Sequence, residues 1–192
     1  MSQIGQLNAG SSLDSGLGDR MRDKGRRPMI VLIVASYSES LLKFRGALID
    51  ALLSRGANVN VLAPEFDRFP EVRRLLESKG VQVHSLPLER TGKSALSDLT
   101  FLVKTYSLMR EIRPGLVLGY TIKPVVYGSL VAFAARVPRR FALITGLGYA
   151  LLDGRRGISA LVARLLYWLA IRSVHKVFFQ NPDDEALFRQ LK

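Results

Sequence analysis

The sequence predicts an α/β protein: a doubly wound, parallel, Rossmann-like sheet over residues 29–192. Segments of strand and helix character alternate six times along the chain. That pattern implies parallel strands joined by right-handed crossovers, with helices on both faces. The first strand candidate, MIVLIVAS at 29–36, is a continuous apolar run rich in β-branched residues. A strand covered on both faces reads this way, whereas a half-exposed strand alternates.

Each element follows in turn. Residues 45–55 form a helix with Leu48, Ile49 and Leu52 on one side and Gly56 as its stop. Residues 57–63 are the second strand. Residues 70–79 are a helix with Val72, Leu75 and Leu76 inward and Gly80 after it, and 81–86 are the third strand. The next helix, 96–112, carries Leu99, Leu102, Val103, Tyr106 and Met109 at helical spacing and ends before Pro114. Residues 115–120 are a strand, and 124–136 a helix with proline in its first turn, where a missing N–H costs nothing. Strand 140–145, the very apolar helix 158–173 and strand 176–180 follow. Finally, NPDDEALF at 181–188 opens a helix with an asparagine cap, proline next and three acids in the first turn.

Residues 1–28 differ in kind. They are rich in Gly, Ser and charge, lack the apolar stretch of a secretory signal, and are expected to be a disordered tail. No later run reaches the roughly 18 apolar residues of a membrane-spanning helix, so a cytoplasmic protein is expected. The 192-residue chain has 48% hydrophobic content, enough for one domain with a core. It has no cysteine, which removes disulfide and thiol chemistry. Its two histidines, His84 and His175, lie at or within apolar runs and read as structural; no metal site and no cofactor are expected. The formal charge of +12 suggests an anionic partner: nucleic acid, an anionic membrane surface or a phosphorylated substrate.

Ligands in such folds bind beyond the carboxyl ends of the strands. Gly-Lys-Ser at 92–94 looks like the tail of a phosphate-binding P-loop, but Pro87 occupies the position of its first glycine. Proline fixes φ and offers no N–H to a phosphate, so the motif is broken. The first loop, SYSESLLKFRG at 36–46, lacks the G-x-G-x-x-G of a dinucleotide site. Arg45 stands at the start of the first predicted helix, where it either meets an anion or is simply solvated. The fourth loop, GYTIKPVVYG at 119–128, places Thr121 and Lys123 before a helix N-terminus, an arrangement suited to an anion. The fifth, TGLGYALLDGRRG at 145–157, has glycines that permit close backbone approach. Arg155 and Arg156 precede the apolar helix, which bears Arg164, Tyr167 and Trp168. Basic residues around an apolar, aromatic helix suit an anionic lipid surface. An ordinary core helix is the competing reading, and the two are compatible on different faces.

Four motifs in this order, ASYSESLLKFRG (35–46), YTIKPVVYGS (120–129), ITGLGYA (144–150) and FQNPDDEALF (179–188), resemble the N-terminal domain of bacterial family 4 glycosyltransferases. The resemblance covers about Met29 to Lys192 and is greatest to the branch extending sugars on undecaprenyl diphosphate. It implies a two-domain, GT-B type architecture: this half receives the acceptor, and a C-terminal half, expected to be absent here, binds most of the nucleotide-sugar. The resemblance implies retention of anomeric configuration and commonly no metal. On these motifs Ser36, Arg45, Thr121, Lys123, Thr145, Gly146, Gly148, Tyr149 and Asn181 become candidate substrate-binding residues, and Arg155, Arg156, Arg164 and Trp168 candidate membrane contacts. No catalytic residue is identified. The chain departs from the family in having Thr145 where many relatives place a histidine, and SYSES at 36–40 where many place paired glycines. The expected partners are a nucleotide-sugar, a lipid-linked glycan acceptor and an anionic membrane surface. Two other readings stay open: a catalytically inert fragment or partner subunit of a split enzyme, and a basic nucleic-acid-binding module, against which stands the lack of a recognition helix or aromatic RNA-binding signature.

Overall fold

A computed structural model describes residues 28–88, 95–146 and 158–190. Six strands, β1 (Ile30–Val34), β2 (Asn58–Ala63), β3 (Gln82–Ser85), β4 (Leu116–Tyr120), β5 (Arg139–Ile144) and β6 (Lys176–Phe179), form one sheet. Its order is β3-β2-β1-β4-β5-β6 and every pairing is parallel. The helices are α1 (Glu39–Ser54), α2 (Pro70–Ser78), α3 (Ala95–Ile112), α4 (Ser129–Ala134), α5 (Ile158–Ser173) and α6 (Pro182–Gln190). A π-helical turn, Pro124–Gly128, leads into α4. This is the doubly wound architecture expected from the alternation.

The register explains the two cores. Val31, Ile33 and Ala35 point to one face, where Leu41 and Ile49 of α1 and Val72 and Leu76 of α2 close over them. Leu32 and Val34 point to the other, against Phe101 and Met109 of α3 and Val131 and Ala132 of α4. Further along that second face, Ala142 and Ile144 of β5 pack with Tyr167 and Ala170 of α5 and with Val125 and Val126. Because β1 is central, its continuous apolar run serves both layers at once.

Four expectations are corrected. The first helix begins at Glu39, not Arg45, so Arg45 lies inside α1 and not at its anion-favouring start. In α3 the buried stripe is Phe101, Thr105 and Met109, whereas Leu99, Val103 and Tyr106 are exposed. Apolar residues lie on more than one side of that helix, so periodicity alone does not choose the face; Phe101 and Met109 are the ones that join the buried cluster of Val34, Leu62 and Val117. Leu48 and Leu75 likewise turn outward, while Ile49 and Leu76 beside them are fully buried. The fourth helix is split: its first turn is widened into a π turn and α4 proper ends at Ala134. The tight seat of Pro124 on β4 accompanies this. A Cβ on Gly119 would lie 2.6 Å from the Pro124 carbonyl oxygen, so only glycine lets the strand end and the helix start approach so closely.

Candidate functional site

The chain runs outward from β1 to β3, then returns to lay β4 on the other side of β1. The carboxyl ends of β1 and β4 therefore border the topological switch point, the crevice where open α/β sheets take their ligands. Ser36 follows β1 and Thr121 follows β4. Their hydroxyls meet at 2.6 Å, joining two segments 85 residues apart. Thr121 holds a left-handed backbone, φ 69°. For a β-branched residue this is strained, and such strain collects at functional positions.

Beneath this pair lies a buried polar support. Tyr120 is 1% exposed and its hydroxyl is 2.7 Å from Ser40 Oγ. Ser40 gives its proton to the Tyr37 carbonyl oxygen, which leaves Tyr120 as donor to Ser40. Burial pushes the Tyr120 phenol up to about 12, so it stays protonated and able to donate. Arg45 lies with its guanidinium carbon 4.8 Å from the centre of the Tyr120 ring. It donates to the Phe44 carbonyl oxygen at 2.8 Å, while its Nε is buried with no hydrogen-bond partner. Arg45 is thus a cation held over an aromatic floor at the edge of the crevice.

On the far side of Thr121, Lys123 donates to Asp98 Oδ1 at 2.9 Å, and Tyr127 donates to Oδ2 of the same carboxylate at 2.7 Å. Lys123 and Asp98 are each 19% exposed. Burial, then the adjacent Asp98, holds the Tyr127 phenol well above its ordinary value, so it remains a donor. Asp98 lies in the first turn of α3, where a helix N-terminus favours an anion. The ammonium that the sequence offered to a substrate anion is therefore shared with an acid of the protein itself.

Thr145 and Gly146 follow β5, and Gly146 has φ 149°, outside the range most side chains accept. Asn181 caps α6, its Oδ1 accepting from the Asp183 N–H at 2.9 Å. Gly148, Tyr149, Arg155 and Arg156 lie outside the described residues, as does Gly-Lys-Ser at 92–94. The histidines have structural contacts: His84 Nε2 is 2.9 Å from Asn60 Oδ1, and His175 Nδ1 accepts from the Arg140 N–H at 3.2 Å. Sequence reasoning missed Ser40, Asp98, Tyr120 and Tyr127. Their contacts, Asp98 with Lys123 and Tyr127 and Ser40 with Tyr120, span 25 to 80 residues and leave no local spacing signal.

The α5 helix has two faces. Tyr167 and Ala170 are buried, whereas Leu161, Leu165 and Trp168 stand outward with Arg164. The Arg172 guanidinium lies 4.6 Å over the Trp168 ring. Among the described residues no helix is long and apolar enough to cross a membrane.

Comparison with known proteins fits this geometry. The chain is 26% identical over 156 residues to the N,N'-diacetylbacillosaminyl-diphospho-undecaprenol alpha-1,3-N-acetylgalactosaminyltransferase of Campylobacter jejuni subsp. jejuni, covering 79% of this chain and 40% of that protein. The present chain thus spans well under half the length of this curated relative. The fold is shared with Acinetobacter baumannii MurG (TM-score 0.55, 15% identity, 81% of this chain and 42% of that one). It is also shared with a UDP-N-acetylglucosamine 2-epimerase (TM-score 0.60, 20% identity, 86% and 46%). The model of glycosyl transferase 4-like proteins matches residues 30–181, from the start of β1 to the cap of α6, and so takes in the whole crevice. The chain belongs to the glycosyl transferase 4-like family.

Proposed function

We propose that this domain is the acceptor-binding half of a retaining glycosyltransferase, which moves a sugar from a nucleotide-sugar, UDP-linked, to a lipid-linked glycan at the cytoplasmic face of the membrane. The polar crevice at the β1–β4 switch point carries the reading. There the Ser36 and Thr121 hydroxyls are 2.6 Å apart, Arg45 lies over the ring of the adjoining Tyr120, and Lys123, paired with Asp98, follows two residues after Thr121. Family membership and the lipid-diphosphate acceptor in the name of the Campylobacter relative support it. In the reaction an acceptor hydroxyl attacks the anomeric carbon and nucleoside diphosphate departs. The crevice contributes by fixing the acceptor, since a correctly held nucleophile removes much of the entropic barrier. Its hydroxyls suit sugar hydroxyls and its cations suit the acceptor diphosphate. A second Rossmann-like unit would bind the donor and stabilise the leaving charge. The outward face of α5, apolar and basic, would keep the domain at the bilayer that holds the acceptor.

The test is calorimetric titration with a short-chain polyprenyl-diphosphate glycan and, separately, UDP-sugars. Acceptor binding is expected to weaken about tenfold in Thr121→Ala, with little response to UDP-sugars in either protein. Donor binding without acceptor binding, or an unchanged Thr121→Ala variant, overturns the reading. Failure of both ligands favours the inert-subunit alternative.

A further inference from the structure

The opposite end of the sheet carries a second basic feature that the crevice does not use. A cavity of about 320 Å³ opens between the end of α3 and the end of α4. Met109, Pro114, Val137 and Pro138 give it an apolar floor, and Arg110, Arg113 and Arg136 stand around it. These segments precede β4 and β5, so the cavity lies at the amino ends of the strands, away from Ser36 and Thr121.

Cations near helix C-termini ordinarily balance the helix dipole. Three observations go beyond that. Two helix ends present about −1 in total, against three guanidinium groups, leaving a surplus of roughly two positive charges. Several carbonyls of these helix ends already accept from backbone donors: Arg113 N–H to Met109 at 3.0 Å, Arg136 N–H to Phe133 at 3.0 Å and Val137 N–H to Ala132 at 2.9 Å. Among the described residues none of the three guanidinium groups makes an ion pair or a hydrogen bond, whereas Arg55, after α1, turns back onto the Ala51 carbonyl. Third, the backbone pays for these side chains. After α1 and α2 the left-handed position that ends the helix is glycine, Gly56 (φ 75°) and Gly80 (φ 86°). After α3 and α4 the same position is Arg113 (φ 49°) and Arg136 (φ 58°). Glycine is the unstrained choice there, so arginine is held twice against a local penalty, each time at the rim of the same cavity.

We propose that this cavity is an anion-binding site for a phosphate group, separate from the acceptor crevice. Convergent guanidinium forks match phosphate oxygens, and the surplus charge matches a phosphomonoester dianion. The apolar floor admits the carbon skeleton next to the phosphate. A free phosphorylated compound and a lipid headgroup share this chemistry.

Amide chemical shifts of the full 192-residue chain would be followed during titration with inorganic phosphate, with chloride at matched ionic strength as reference. Shifts are expected at Gly115, Arg113, Arg136 and Val137, and only with phosphate. The variant Arg113→Gly/Arg136→Gly relieves the left-handed strain and so keeps the fold, checked by its melting temperature. It should bind phosphate at least tenfold more weakly. Arg74→Gln, on α2, should bind as the parent does. Dihexanoyl phosphatidate, below its micellar concentration, separates the sources: tighter binding than phosphate assigns a lipid headgroup, and equal binding assigns a free phosphate compound. Equal shifts with chloride, or a folded double-glycine variant that titrates like the parent, would overturn the site and leave the arginines as dipole partners only.

Discussion

The outward face of α5 should bind anionic membranes, and Trp168 makes this measurable. It is the chain's one tryptophan, so its emission reports this helix alone. Leu161 is 68% exposed, Leu165 52% and Trp168 52%. Full burial of such a side chain yields about 1.5–3 kcal/mol, so the exposed part of the two leucines together carries about 2–3 kcal/mol toward a membrane. Arg164 adds about 1 kcal/mol near an anionic surface. Mixing the chain with phosphatidylglycerol vesicles should shift Trp168 emission to the blue. Leu161→Gln/Leu165→Gln, which keeps the reporter, should weaken the vesicle midpoint by roughly 30- to 150-fold. Arg164→Gln should weaken it about fivefold on anionic vesicles only, and salt should reduce the difference. If the parent emission does not move, or the double-glutamine variant follows the parent, the face is not a membrane contact.

Three further outcomes are expected. Ser40→Ala should destabilise more than Tyr120→Phe, by about 1–2 kcal/mol in denaturant melts, because it strands a buried phenol whereas the second removes that phenol; equal losses refute the hydrogen-bond assignment. Gly119→Ala should cost more than about 3 kcal/mol or prevent folding, since its Cβ meets the Pro124 carbonyl at 2.6 Å; near-parental stability means that the strand-to-helix contact yields easily. Burial lowers the His84 pKa below the unfolded 6.5, so the unfolded chain binds the proton more readily. Stability should therefore fall as pH drops below about 6.5, and His84→Gln should flatten that part of the pH–stability curve.

The six strands, their parallel alternation with helices and the two-faced burial of β1 were legible because they rest on local patterns: β-branched runs, glycine stops after α1 and α2, and a proline-opened helix at Asn181. What was not legible depends on which of several equivalent faces is buried. Leu99, Val103 and Tyr106 have the spacing of a core stripe, but so do Phe101, Thr105 and Met109, and only the surface under α3 decides. The start of α1 was misplaced because Ser38, Glu39 and Ser40 read as loop residues. Ser38 and Ser40 are in fact buried and Ser40 is tied to Tyr37 and Tyr120. That shift moved Arg45 from a helix end to a ring face. Lys123 lies on the loop after β4 that the sequence pointed to, yet its partner Asp98 is 25 residues away and no spacing rule points to it.

Departures from local rules concentrate at the exit of β4. Gly119 lets the Pro124 backbone approach, Thr121 sits in a left-handed conformation, and Pro124–Gly128 is a π turn. Each is unfavourable or uncommon by itself, and π turns and strained residues are frequent where ligands bind. Together they have one geometric effect. The close Gly119 contact draws the helix start against the sheet, and the left-handed Thr121 brings its hydroxyl across to Ser36 after β1. Lys123 and Tyr127 then fall on opposite oxygens of Asp98, which ties α3 to the same strand end. Strands β2 and β3 leave the sheet without comparable strain among the described residues, apart from Glu65 (φ 63°) in the turn after β2. The distortion is greatest at the strand end that borders the switch point, which is where the proposed function would have an acceptor hydroxyl oriented.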